Sequence, residues 1–363
     1  VTWLVFYVVG RLLEERALDV RRYALAALSS LLLFLALGPA TFAFYAALAL
    51  GVLLVAHLLQ RVPDERRRRL LFAAAAAAVV VVIVVFLARR TYIQKYFLYL
   101  PSLSYLGFRA IAHLTSAYRR RDVAFSAGLM QMLFFPMLFM GPISRTEHFE
   151  REHWDYHDAL RRLALGLALL IAGYLAGGLV VDRLRPWDAS ATRLLTSAVA
   201  SSFELYWVFS GYTHLIVGLG LLVGFRLPDN FNNPYLATSI TDFWRRWHMS
   251  LSYFIRDYVY IPLGGNRGGL ARKCLNMLVA MTLCGLWHGL TLNYLAWGLY
   301  HGILLSIESV AAHHGLAPLD RLPSRLAHAT RVALTFTLVT IGWLLFKYPV
   351  GDLVVLFRRA VGA

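Results

Sequence analysis

Apolar residues run along this chain in blocks too long and too uniform for the strands or amphipathic helices of a water-soluble core. A helix crosses the hydrocarbon of a bilayer with roughly 20 mostly apolar residues. Blocks of that order occupy Tyr23–Leu37, Thr41–Leu59, Leu70–Ala88, Val123–Met140, Leu160–Val181, Leu194–Phe225, Cys274–Leu292, Tyr294–Val310 and Val332–Phe346. The pattern predicts an all-α, polytopic integral membrane protein. Leu70–Ala88 is the plainest case, an Ala/Val run preceded by Arg61 and Arg66–Arg69. Only Arg89, Arg90 and Lys95 follow it, so the excess of positive charge places the Arg61–Arg69 loop in the cytoplasm.

Two stretches depart from this pattern. Leu194–Phe225 exceeds one upright span and carries Glu204, Ser210, Gly211, Tyr212 and His214. It predicts two shorter helices or one broken helix. Between Asp229 and Lys273 the chain is too polar to span simply and too aromatic for a water-exposed loop. Irregular backbone survives at membrane depth only inside protein or against a wet cavity. This stretch is therefore expected to be re-entrant or interfacial and to line a site. With no internal repeat, linker or composition break, residues 1–363 read as one domain. The first block, Val1 to Leu13, runs into Glu14, Glu15 and Arg16 without a small-residue cleavage site. It does not read as a removable signal peptide.

Composition strengthens the membrane reading and removes a rival. Hydrophobic residues make up 59% of the chain and charged residues 15%, against about 25% charged in soluble domains. A net charge of +16 would by itself suggest nucleic acid. Here the arginines gather at the ends of apolar blocks, where they face anionic lipid instead. Cys274 and Cys284 form neither a disulfide framework nor a metal pair and read as small packing residues.

Candidate chemistry falls in three places. The segment Gly285–Gly302, GLWHGLTLNYLAWGLYHG, puts His288 inside an apolar block with glycines on either side. An ionisable side chain at that depth is expensive. Two readings stand: a neutral histidine hydrogen-bonded to a neighbouring helix, or a general base, for which an ordinary imidazole pKa of about 6.5 is suited. Glycines admit close approach of a backbone or a ligand.

In Ser239–Arg267, a helical reading sets Phe243, Trp247, Leu251 and Phe254 on one stripe and His248 on a face with Trp244 and Leu251. Asp242 and Arg246 form a favourable i,i+4 pair, and Pro262 with Gly264-Gly265 ends the helix. The same periodicity suits an amphipathic helix lying on the bilayer with tryptophan anchors. The third cluster, Glu147–Asp158, holds His148, His153 and His157 at spacings that share no helical face. It reads as a solvated interfacial loop with no metal site. His57, His113, His301, His313, His314 and His328 have no partner visible in the sequence.

Taken together, LPSLSYLGFRAI (Leu100–Ile111), FFPMLFMGPISR (Phe134–Arg145), the Phe225–Arg267 block, the Gly285–Gly302 segment and IGWLLFKYP (Ile341–Pro349) resemble the membrane-bound O-acyltransferase family. The likeness is strongest to its bacterial branch of alginate O-acetylases and teichoic acid D-alanyl transfer proteins, and it covers about Leu100 to Pro349. The resemblance implies a ring of about 9–11 transmembrane helices, with re-entrant or interfacial helices lining a central tunnel. It implies that His288 and His248 are the catalytic pair, with His288 deprotonating an acceptor hydroxyl that then attacks a thioester. Trp244, Trp247, Arg256, Asp257, Tyr260, Asn266 and Trp287 would line or support the tunnel.

The same resemblance implies a multi-pass protein of the bacterial inner membrane, in contact with lipid and with no tightly bound cofactor. The donor would be acetyl-CoA or an acyl carrier protein thioester. The acceptor would be a polysaccharide, reached directly or through a periplasmic acetyltransferase partner. D-alanyl transfer to a teichoic-acid-like acceptor is the alternative within the class. A transporter or scaffold is the alternative outside it, and the missing repeat argues against that. Val208 and His214 stand where the alginate branch has two acidic residues. Relatives of the alginate enzyme also run longer at the C-terminus, so a lipid-facing helix pair that they carry is expected to be missing here.

Overall fold

The computed structural model describes residues 2–14, 16–96, 102–120, 122–137, 140–178, 191–316 and 323–360. Among them every regular element is helical. In chain order these are α1 (Thr2–Leu13), α2 (Leu18–Leu37), α3 (Pro39–Arg61), α4 (Glu65–Tyr96), α5 (Leu103–Arg119), α6 (Phe125–Leu133), α7 (Glu147–Glu150) and α8 (Tyr156–Ala176). There follow α9 (Ala191–Leu222), α10 (Ile240–Arg246), α11 (Met249–Ile255), α12 (Gly269–His288), α13 (Leu292–His313), α14 (Ser324–Lys347) and α15 (Val350–Ala360).

Eight of the described helices are long and apolar enough to cross a membrane: α2, α3, α4, α8, α9, α12, α13 and α14. They carry large apolar side chains on their outsides, Leu35, Leu54, Val81, Val85, Ile171 and Ile307 among them. In water that much exposed hydrocarbon would aggregate; in lipid it is the solvated surface.

Two expected spans come out differently. Within Val123–Met140, α6 stops at Leu133 and a 3-10 turn, Phe135–Met137, follows. Pro136 has no amide hydrogen and disfavours helical backbone in the residue before it. The short helix is buried along most of its length, so it is an internal strut and does not span. Leu138 and Phe139 of that block lie outside the described residues, as do Leu100, Pro101 and Val181 of other segments.

The second difference is α9, which runs unbroken from Ala191 to Leu222. A mid-helix glycine costs only about 1 kcal/mol relative to alanine, too little for Gly211 to interrupt so long a helix. The Glu204 carboxylate meets the Lys347 ammonium at 3.6 Å. The helix ends instead at Gly224, whose φ of 83° suits glycine. There the Phe225 amide donates to the Gly220 carbonyl at 2.8 Å and the Gly224 amide to Leu221 at 3.3 Å.

The helices group into two compact units. The first comprises Val1–Gly166 with Tyr212–Asp229, the second Leu167–Gly211 with Asn230–Ala363. In the first, α4 lies on α5, and α2 on α3 and α6. Its core gathers Phe6, Met130, Phe134, Phe149, Leu222 and Phe225. The Glu147–Asp158 stretch belongs to this unit as a short helix and an extended connection. Its carboxylates are taken up by arginines, Glu150 with Arg120 at 2.8 Å and Asp158 with Arg162 at 2.7 Å.

In the second unit α12 and α13 form a close hairpin, with α14 beside α13 and α10 against both α13 and α14. A methyl group on Gly285 would come within 2.2 Å of the Tyr294 carbonyl, and one on Gly298 within 2.5 Å of the Met281 carbonyl. Only glycine lets the two backbones meet so closely. Cys284 is buried in this hairpin, and both cysteines are free thiols.

Candidate active site

The site is built around a helix that the sequence read as continuous and the structure breaks. Helix α10 starts at Ser239, whose hydroxyl accepts from the Asp242 amide at 3.0 Å. Glu308 on α13 reinforces that start, accepting from the Thr241 amide at 2.9 Å and its hydroxyl at 2.8 Å. The Asp242 carboxylate accepts from Arg246 at 2.8 Å, as the i,i+4 spacing predicts. Burial works to raise the pKa of Asp242, but Arg246 and the Thr238 amide outweigh it and hold the group below the usual range.

Helix α10 ends at Arg246, and His248 takes a left-handed backbone, φ 41° and ψ 53°. Such a conformation is uncommon outside glycine. Asn230 accounts for it. Its carbonyl accepts from the Met249 amide at 2.9 Å, and its side-chain oxygen accepts from the Ser250 hydroxyl at 2.6 Å and the Ser250 amide at 3.2 Å. These bonds replace those of a continued helix, and α11 starts afresh at Met249. The four residues expected on a single stripe are shared between α10, the break and α11, and all four are buried. The turn at Pro262 and Gly264-Gly265 stands where the sequence puts it, preceded by a π-helical stretch Arg256–Tyr260.

His248 is buried, and its Nδ1 donates to the Asn230 oxygen at 3.4 Å. Burial first, and then the neighbouring His288, hold this imidazole well below its ordinary pKa. Its ring lies edge-on to Phe209 at 4.8 Å and 6.4 Å from Trp287. His288 closes α12 and is half-buried. Rings surround it: Trp287 at 4.5 Å, Phe346 at 4.9 Å, Trp297 at 5.5 Å and Tyr294 at 5.9 Å. No described residue hydrogen-bonds its imidazole.

A cavity of about 790 Å³ leads along α12 from Lys273 to Cys284. Cys284 stands one turn, about 6 Å, short of His288 along the helix axis. Trp244, Leu251, Ala280 and Met281 line the cavity, as do Arg245, Arg256, Tyr260, Asn266 and Lys273. Of the residues expected to line a site, Trp244, Arg256, Tyr260 and Asn266 thus share one space. The Tyr260 hydroxyl donates to Asn266 at 2.6 Å, and Asp257 pairs with Arg256 at 2.7 Å. Trp287 packs between His248 and His288. Trp247 belongs to an aromatic cluster, 4.8 Å from Trp343 and 5.6 Å from Phe243. Asn230, Trp297, His301, Trp343 and Phe346 complete the site without having stood out in the sequence. Their only sequence signal is residue type, since each joins the site through tertiary packing.

Residues 88–348 match the model of the membrane-bound O-acyltransferase family, MBOAT. The chain belongs to the MBOAT family. The match takes in the Asn230 break, both histidines, the cavity and Phe346, so the site lies wholly inside the MBOAT region. The chain is 34% identical to a probable alginate O-acetylase of Azotobacter vinelandii over 259 residues, 68% of this chain and 50% of the relative. It is 35% identical to a peptidoglycan O-acetyltransferase of Helicobacter pylori over 45% of this chain and 33% of that protein. It is 27% identical to a teichoic acid D-alanyltransferase of Bacillus subtilis over 55% of each. The chain spans about half the length of the alginate relatives it matches. Val208 and His214 stand at the two positions where the resemblance to the alginate branch leads one to expect acidic residues. Val208 packs against Gly173 of α8.

Proposed function

We propose that this chain is a membrane O-acyltransferase that moves an acyl group, acetyl first of all, from a cytoplasmic thioester to a hydroxyl of a cell-surface or exported polysaccharide. The observation that carries the reading is His288. Its imidazole meets no hydrogen-bond partner among the described residues, is ringed by aromatic side chains and lies one turn beyond the end of a cavity. Neutral imidazole takes the proton of the acceptor hydroxyl, and the oxygen attacks the thioester carbonyl. The C–S bond breaks, and the departing sulfur receives the proton from the imidazolium. An ester and a free thiol result.

The cavity suits the donor. Arg245, Arg256 and Lys273 supply positive charge for the phosphates of coenzyme A or of a carrier-protein arm, and Leu251, Ala280 and Met281 line a path for the thin thioester end. His248 stays neutral beside Trp287 and shapes the wall next to the base. Membership of the bacterial inner membrane and delivery through a periplasmic acetyltransferase partner follow the same reading. Acetyl transfer is preferred to D-alanyl transfer because identity to the acetylating relatives, 34% and 35%, exceeds the 27% to the D-alanylating one.

The test supplies membranes containing the chain with labelled acetyl-CoA, or with a labelled acyl carrier protein, and follows label into polymer. The expected result is base-labile, ester-linked label that requires the chain. Polymer that is exported normally yet takes no ester from either donor would overturn the proposal.

A further inference from the structure

We propose that His301 is a positioning residue for acyl transfer: it holds the Trp244 indole as the wall between the donor cavity and the ring of His288. The proposal rests on the acyltransferase reading above and assigns a role to a histidine outside the catalytic pair.

His301 is fully buried on α13, one turn after Trp297. The Trp244 indole N–H donates to its Nδ1 at 3.4 Å, with the two rings edge to face at 5.2 Å. Trp297 lies 5.1 Å from His301 and 5.8 Å from Trp244, so the three rings pack as a triangle. These two tryptophans are the ones that matter to the chemistry. Trp244 lines the cavity, and Trp297 stands perpendicular to His288 at 5.5 Å and 5.8 Å from Trp244. His301 therefore touches both the tryptophan that lines the cavity and the one that faces the ring of His288.

A merely space-filling role does not explain a histidine here. With Nδ1 accepting, the neutral ring carries its proton on Nε2. That nitrogen is buried and meets no hydrogen-bond partner among the described residues. An unpaired buried N–H is unfavourable, and phenylalanine would fill the same aromatic surroundings without one. What imidazole alone supplies is the acceptor that fixes the Trp244 indole. The ring can sit there because α14 offers Gly342, where a methyl group would come within 2.7 Å of Nε2.

The experiment compares kcat and the KM values for donor and acceptor in wild type, His301→Phe, His301→Asn and Gly342→Ala, all in the full chain in membranes. His301→Phe is expected to lower kcat about tenfold or more, since a wall that can turn loses the aligned approach of thioester to base. The acceptor KM should not move. His301→Asn places an amide oxygen near the Nδ1 position and is expected to restore kcat to within about threefold of wild type. Gly342→Ala pushes the intact ring aside and should reproduce the phenylalanine result, which keeps the test open if His301→Phe does not fold. A wild-type kcat in both His301→Phe and Gly342→Ala overturns the proposal, as does an asparagine variant no better than phenylalanine. A wild-type chain that transfers no acyl group overturns the functional reading itself, and this role with it.

Discussion

At His248 the backbone turns left-handed, and a non-glycine residue holds that conformation only when its surroundings over-determine it. Asn230 does so with one backbone carbonyl and one side-chain oxygen that together accept from Met249, Ser250 and His248. Replacing Asn230 by alanine removes the side-chain oxygen that accepts from the Ser250 amide and hydroxyl and from the His248 nitrogen. The expected cost is about 1–3 kcal/mol, read as a lower thermal unfolding midpoint in detergent together with reduced acyl transfer. An unchanged midpoint would show that the break is held by something else. His248 and His288 could be singled out from the sequence because an ionisable group in an apolar block is conspicuous. Asn230 could not, because an asparagine between Asp229 and Phe231 looks like any other loop residue until the chain folds back on it.

Between elements, the hairpin of α12 and α13 sets how His288 meets Trp297 and Tyr294. In the sequence Gly285 admits close approach of a backbone or a ligand, and in the structure it is backbone: a methyl group there would lie 2.2 Å from the Tyr294 carbonyl. Gly285→Ala should therefore force the helices apart at a cost of about 1–3 kcal/mol, and activity should fall with it. Gly51 on α3 has nothing within 4 Å of the equivalent position. Gly51→Ala should be neutral or stabilising by up to about 1 kcal/mol. Thermal unfolding of the two variants side by side checks the contrast, and equal midpoints would contradict it. The same scale shows where pattern reading falls short. Hydropathy found α2, α3, α4, α8 and α12 to α14, but it took α6 for a span and α9 for a broken one. Length and apolarity do not report that Pro136 ends a helix inside the protein, nor that Lys347 lies ready to meet Glu204.

Across the whole molecule the fold class was legible because lipid imposes a simple rule: backbone groups must be satisfied within the segment, so long apolar blocks become helices. The site was legible only in part. Its polar members stand out against hydrocarbon, whereas its aromatic walls, Trp297, Trp343 and Phe346, are indistinguishable from ordinary membrane-helix residues until α10, α12, α13 and α14 are packed together. In the proposed function one imidazole, His288 at the end of α12, acts as base on a hydroxyl. The most direct measurement is the rate of acyl transfer from labelled thioester to acceptor by His288→Ala, in membranes shown to hold the same amount of folded protein as wild type. A fall of about 10²-fold or more is predicted, the range expected when a general base is lost. Transfer at the wild-type rate would contradict the account.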